Sequence, residues 1–364
     1  MPMGTDRGGN PSSDGTRVVS TPIWHTEGMR TSSGCWLRYG ARASDARRPR
    51  TFCTDKEASM PIDEALLRHL YAYDRTLPLV PTSEVDPVTN PATRQAVPGL
   101  RRERVTFAST HDERVVATLT MPSEGGPHPA VIMQHGSTAS GRHAMTTPTP
   151  AVPEPLAVQW AKAGFVAVTV DAYGFGSREG ADNRGRLTPT RPDLMYRTRD
   201  ARIQGVQDLM RTIDYLLTRP EVRGDAIGYH GVSMGCRLGV PLIALDHRIK
   251  AASLFVGGTA AYSRFVIEGT PFADLAEEEQ RIFELTDPIT FAPLTSHIPK
   301  FVANGLKDTL VTPEGGQRLQ AAFAEPKSLH WFDGNHADSP AALVEEARAF
   351  LAQHLGVRVT AGAR

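Results

Sequence analysis

The sequence predicts an α/β protein built on an eight-stranded, mostly parallel sheet with helices on both faces. Three observations carry that expectation. From residue 130 onward, short runs of Val, Ile, Leu and Ala alternate with longer stretches of helical period, and wholly apolar strands belong to parallel sheets covered on both sides. Two alternating segments joined by His111-Asp112-Glu113 come before them as an antiparallel hairpin. A strand, a Gly-x-Ser-x-Gly turn centred on Ser233 and a helix then follow one another between residues 225 and 245.

Taken in order, residues 1–59 are rich in Gly, Ser, Thr and Arg, lack a sustained apolar period and read as a disordered tail. Met60 opens a different sequence and is a candidate start of the natural protein. A targeting arm ranks lower, because Asp6, Asp14, Glu27 and Asp45 interrupt the basic residues. Residues 60–103 supply an amphipathic brace, with Ile62, Leu66, Leu70 and Tyr73 about one helical turn apart, and a proline-rich wrapping loop over 77–99. The main domain is expected over 104–356, with a tail at 357–364. Its strands are predicted at 104–109, 114–121, 130–134, 165–170, 225–231, 250–256, 300–303 and 327–332. Helices are predicted at 156–163, 199–217, 234–245, 313–323 and 341–355. The clearest is 199–217, with Ile203, Val206, Met210, Ile213 and Leu217 on one face and Pro220 just beyond its end.

Charge narrows the partners. Lys+Arg and Asp+Glu both number 40, so no net field favours nucleic acid or an anionic membrane, and small neutral or mildly polar ligands fit best. No apolar run approaches the ~20 residues of a membrane span, and the first thirty residues lack a signal-peptide core, which predicts a cytoplasmic address. Cys35, Cys53 and Cys236 have no metal-like spacing, and their odd number argues against a disulfide framework. Gly174-Phe175-Gly176 follows a strand, but the next glycine is Gly180, one place too late for a dinucleotide turn, and a polar loop follows instead of a helix. No nucleotide cofactor and no metal are expected; the oligomeric state is open.

A serine between a strand and a helix, flanked by Gly231 and Gly235, has the form of a nucleophile elbow. The turn is so tight that side chains two residues either way would collide with the neighbouring strand and helix. Further motifs follow the other strands: His135-Gly136 after the third, Asp171-Ala-Tyr-Gly-Phe-Gly-Ser177 after the fourth, Asn304-Gly-Leu-Lys-Asp308 after the seventh and Gly334-Asn-His336 after the eighth. On these residues, the chain from about 60 to 355 resembles the α/β-hydrolases, and within them the dienelactone-hydrolase-like and bacterial esterase branch.

The resemblance implies a serine hydrolase acting on small carboxylic esters through an acyl-enzyme. Ser233 would be the nucleophile and His336 its base, since imidazole takes up and returns protons near neutrality. Asp308 would orient the imidazole, and the backbone N–H groups of Met234 and Ser137 would form the oxyanion hole. His330 is the rival base, His230 reads as a core residue, and Asp287, Asp333 and Asp338 are weaker candidates for the acid. Cys236 reads as a small apolar residue facing the core. Residues 257–299, after the sixth strand, exceed a simple crossover and contain Tyr262, Phe265, Phe272, Phe283 and Phe291 beside Glu277-Glu278-Glu279. Two readings stand equal: a small cap over the pocket, or ordinary helices whose aromatics join the core. A peptidase, an acyltransferase using the same triad, and a non-catalytic binding protein on this fold are the alternatives.

Overall fold

A computed structural model describes residues 62–89, 95–149, 152–180, 195–259 and 272–357. The chain divides into Met1–Pro61, all of it outside the described residues, and Ile62–Arg364. The expectations for the 1–59 tail, for 358–364 and for Tyr262 and Phe265 also lie outside them.

The sheet has nine strands: β1 (Thr82–Val85), β2 (Leu100–Ala108), β3 (Arg114–Pro122), β4 (His128–Gln134), β5 (Val166–Val170), β6 (Val222–Val232), β7 (Ile249–Phe255), β8 (Lys300–Gly305) and β9 (Lys327–Phe332). Their spatial order is β1-β2-β3-β5-β4-β6-β7-β8-β9. The first three strands are antiparallel, β3 meets β5 antiparallel, and β5 through β9 are parallel. Eight strands stand where the sequence predicts them. The ninth, β1, corrects the reading of 77–99 as loop alone: all four of its residues are exposed, and it is held by its ladder with β2. The hairpin turn is as expected, with His111 and Asp112 both at positive φ (53° and 59°), the backbone that matches the twist of the flanking strands.

Among the described residues there are eight α-helices: α1 (Glu64–Leu70), α2 (Leu156–Lys162), α3 (Met195–Leu216), α4 (Met234–Leu245), α5 (Glu277–Glu284), α6 (Pro288–Phe291), α7 (Pro313–Ala322) and α8 (Ala341–His354). Side-chain alternation along β4 and β5 divides the core. Ile132, Val166, Val168 and Val170 face α3 and α4, whereas Val131, Met133 and Ala167 face Trp160 of α2 and Leu351 of α8. Burying each of the larger aliphatic side chains contributes about 1.5–3 kcal/mol.

Two helices differ from the sequence reading. In α1 the buried residue is Leu67, with Tyr71 buried just past the helix end, and Ile62, Leu70 and Tyr73 only flank them, so the apolar stripe is centred beside the one expected. Asp63 caps this helix by accepting the Leu66 N–H at 2.8 Å. In α3 the last buried apolar residue is Leu216, and Leu217 lies exposed beyond the helix end. Its polar face is buried too: Asp208 accepts from Ser109 Oγ and Arg178 Nη1, both at 2.5 Å, and Arg211 donates to the Leu77 carbonyl at 2.8 Å.

The described part of the 257–299 insertion holds α5 and α6, which pack on α3 and α4. Phe291 belongs to the main core and meets Tyr71 edge-on at 5.4 Å. Phe283 and Phe272 join Met195, Leu275 and Ile282 in a separate small cluster.

Between β4 and β6 the chain reverses its direction of travel across the sheet: β4 leads through α2 to β5 on one side, and β6 leads through α4 to β7 on the other. The loops leaving these two strands therefore diverge, opening a crevice at their carboxyl ends. The His135-Gly136-Ser137 turn and Ser233 both lie there.

Candidate active site

Ser233 sits between β6 and α4 with φ 55° and ψ −109°, a conformation rarely tolerated away from glycine. It occupies the N-cap position, but its hydroxyl makes no capping bond and is left for other work. Its backbone N–H donates to the Phe255 carbonyl at the end of β7 at 2.8 Å, pinning the turn to the sheet. The neighbouring glycines are demanded by space. A Cβ on Gly235 would lie 2.3 Å from the Gln134 carbonyl oxygen, and one on Gly231 would lie 2.7 Å from the Gly235 oxygen.

The loops after β8 and β9 bring the other two residues to it. His336 Nε2 lies 2.8 Å from Ser233 Oγ, and His336 Nδ1 lies 2.7 Å from Asp308 Oδ2. The other oxygen of Asp308 accepts the N–H groups of Leu310 and Val311 at 2.8 and 2.9 Å, so the carboxylate has one face committed to backbone and one to the imidazole. Asn335 braces the histidine, its Oδ1 accepting the N–H groups of His336 at 2.8 Å and Thr309 at 3.1 Å. Asp308 is fully buried and His336 largely so, which strengthens their interaction relative to water.

The two expected oxyanion donors belong to segments that adjoin Ser233. Met234 begins α4, where an N–H has no partner within the helix. Gly136 packs against the nucleophile, a Cβ there falling 3.4 Å from Ser233 Cβ, and Ser137 is the next residue. Its neighbour His135 is buried, with Nδ1 2.6 Å from the Gly136 carbonyl oxygen and Nε2 accepting the Ala172 N–H at 3.1 Å.

The rival residues lie elsewhere. His330 stacks on Phe301 with ring centroids 3.9 Å apart. His230 is buried against Trp160 and Phe255, and burial lowers its pKa to about 4. Asp287 caps α6, Asp333 pairs with Lys307 at 2.6 Å, and Asp338 accepts the Asn335 N–H at 2.9 Å. Cys236 donates its thiol to the Phe255 carbonyl at 3.0 Å, and burial pushes its pKa up, away from the reactive thiolate. Among the described residues, no group of three or more His, Cys, Asp or Glu could hold a metal ion, and no helix is long and apolar enough to cross a membrane.

One buried cluster beside the site is absent from the sequence reading. Asp171, at the end of β5, pairs with the Arg142 guanidinium and accepts the Arg142 N–H at 2.7 Å, the Ser177 N–H at 3.0 Å and the Ser177 hydroxyl at 2.6 Å. It ties the loop after β4 to the loop after β5. Asp171 and Ser177 belong to a recognisable motif, but Arg142 lies in a loop with no pattern of its own.

Residues 116–337 match the dienelactone hydrolase family. The chain belongs to that family. Similar proteins include rat acyl-coenzyme A thioesterase 1, 26% identical over 232 residues, which cover 64% of this chain and 42% of the relative. The mitochondrial acyl-coenzyme A thioesterase 2 of rat is 28% identical over 266 residues, covering 67% of this chain and 51% of the relative. This member of the dienelactone hydrolase family thus spans about half the length of the curated relatives it matches. Among solved structures, the acetyl xylan esterase from Paenibacillus sp. R4 superposes with a TM-score of 0.60 at 19% identity, covering 80% of this chain and 92% of that one. That likeness establishes the α/β-hydrolase fold.

Proposed function

We propose that this protein hydrolyses small carboxylic esters through an acyl-enzyme, with Ser233, His336 and Asp308 as its catalytic triad. The observation that carries the reading is the unbroken series of contacts from Asp308 through His336 to Ser233 Oγ, at 2.7 and 2.8 Å, ending on a serine held in a strained turn. Ser233 Oγ attacks the carbonyl carbon while its proton passes to His336 Nε2. The carbonyl π electrons move onto oxygen, where the N–H groups of Met234 and Ser137 receive them, each donor worth about 3 kcal/mol if lost. As the tetrahedral centre collapses, the bond to the leaving alcohol breaks and His336 returns the proton to that oxygen. Water then repeats the sequence on the acyl-enzyme, releasing the acid and restoring the serine hydroxyl.

A second reading shares the site: a thioester of coenzyme A in place of the oxygen ester, supported by the rat thioesterase relatives. The chemistry differs only in that a thiol leaves.

Hydrolysis of p-nitrophenyl esters of increasing acyl length, beside thiol release from acyl-coenzyme A, tests both. The expected result is ester turnover that disappears in Ser233→Ala while the melting temperature stays unchanged. Thiol release with no ester turnover would favour the second reading. A folded wild-type protein inert towards both would overturn the proposal.

A further inference from the structure

The peptide between Gly136 and Ser137 is planar, so its carbonyl and its N–H point in opposite directions and whatever holds the carbonyl also aims the N–H. His135 holds it. The backbone N–H of Ala172 can only donate, so His135 Nε2 must be the unprotonated acceptor of that 3.1 Å bond. The proton of the neutral ring is then on Nδ1, which donates to the Gly136 oxygen at 2.6 Å. Burial lowers the pKa of the ring and keeps it in this neutral form. The edge of Phe175, with ring centroids 5.7 Å apart, supports the imidazole from the side.

We infer that His135 is a positioning residue for the oxyanion hole, setting the direction of the Ser137 N–H through the Gly136 carbonyl; the inference rests on the ester-hydrolase reading. A second bond reaches that carbonyl, from the Thr138 N–H at 2.8 Å, but it lies within the same turn and moves with it. The His135 bond instead refers the peptide plane to β5. Ala172 follows Asp171, whose N–H donates to the Val116 carbonyl of β3 at 3.0 Å and whose carboxylate is bound by Arg142 and Ser177. The sheet and the buried ion pair thereby give the oxyanion donor a fixed reference that a free loop would lack.

Three substitutions separate the two bonds of the ring. In His135→Asn, the amide nitrogen takes the place of Nδ1 and keeps the donor to Gly136 while losing the acceptor for Ala172. In His135→Gln, the amide reaches the place of Nε2 and keeps the acceptor while losing the donor. His135→Phe loses both and retains the ring packing. The expected outcome is a kcat about ten- to a hundredfold below wild type for Gln and Phe, which lose the donor to Gly136, and an intermediate loss for Asn, which keeps that donor but loses the tie to β5, with KM within about threefold throughout. Wild-type kcat in the Gln and Phe variants, or an Asn variant as slow as Phe, overturns the inference.

Nitrogen-15 spectra of histidine-labelled wild-type protein give a readout that needs no turnover. His135 should show a protonated Nδ1 and a bare Nε2, unchanged from about pH 7 to 9. An active enzyme with the proton on Nε2 removes the role of His135 and leaves the hydrolase reading intact. An inactive enzyme with the expected tautomer removes the hydrolase reading and the positioning role of His135 with it.

Discussion

Replacing Asp308 by Asn tests the triad with almost no change of shape, and the structure dictates which way the new amide must turn. One oxygen of Asp308 accepts two backbone N–H groups, from Leu310 and Val311 at 2.8 and 2.9 Å, and the other faces His336 Nδ1 at 2.7 Å. An asparagine there keeps its carbonyl toward the two backbone donors, because presenting NH2 to them would leave two buried N–H groups unsatisfied at about 1–3 kcal/mol each. The NH2 therefore faces His336 Nδ1, which has to accept, and the ring proton moves to Nε2 and points at Ser233 Oγ. A histidine in that tautomer cannot take the serine proton. Restoring the working tautomer means setting N–H against N–H or reversing the amide, either costing on the order of 3–5 kcal/mol, or about 10²- to 10⁴-fold in rate. The measurement is steady-state kcat/KM on p-nitrophenyl acetate beside a thermal melt. An Asp308→Asn variant that melts with the wild type and keeps more than about a tenth of its activity would refute the triad reading.

Other consequences concern the scaffold. Gly235→Ala drives a methyl group to 2.3 Å from the Gln134 carbonyl oxygen, so the melting temperature and esterase activity should fall together; an unchanged melt would show that the elbow is looser than its contacts imply. Arg142→Ala strands the Asp171 carboxylate as an uncompensated buried charge, and urea unfolding should register a loss of about 3–5 kcal/mol, whereas a loss below about 1 kcal/mol would deny the pair its structural role. His230, whose pKa burial lowers from 6.5 to about 4, binds its proton in the unfolded chain before the folded one. Its contribution to stability is therefore fully present above about pH 6.5 and declines as the pH falls toward 4, by about 3 kcal/mol in total. In His230→Phe that part of the acid slope in urea unfolding should flatten, and an unchanged slope would assign it to other groups.

The turn that carries Ser233 and the loop that carries His336 are legible in the sequence because the backbone there is constrained. A strained serine needs glycines where Gly231 and Gly235 stand, and the histidine rides on a short loop directly after the last strand. Strands buried on both faces are legible for a similar reason, since each must be apolar throughout. Where burial does not set the pattern, the reading fails: β1 is exposed along its whole length and exists through backbone pairing, which leaves no trace in residue type. In α1 the helix is barely two turns long, too short for a period to settle whether Leu66 or Leu67 faces inward. The same limit hides the support of the active site. Arg142 meets Asp171 across 29 residues of chain, and the His135 ring is fixed by an N–H that follows Asp171, contacts made only once β4 and β5 lie side by side. The proposed catalytic side chains advertise themselves through the turns they require, while the groups proposed to aim them are ordinary polar residues until the sheet forms. It follows that substitutions at Arg142 and His135, which no local pattern protects, are where a sequence resembling this family could keep its triad intact and still lose rate.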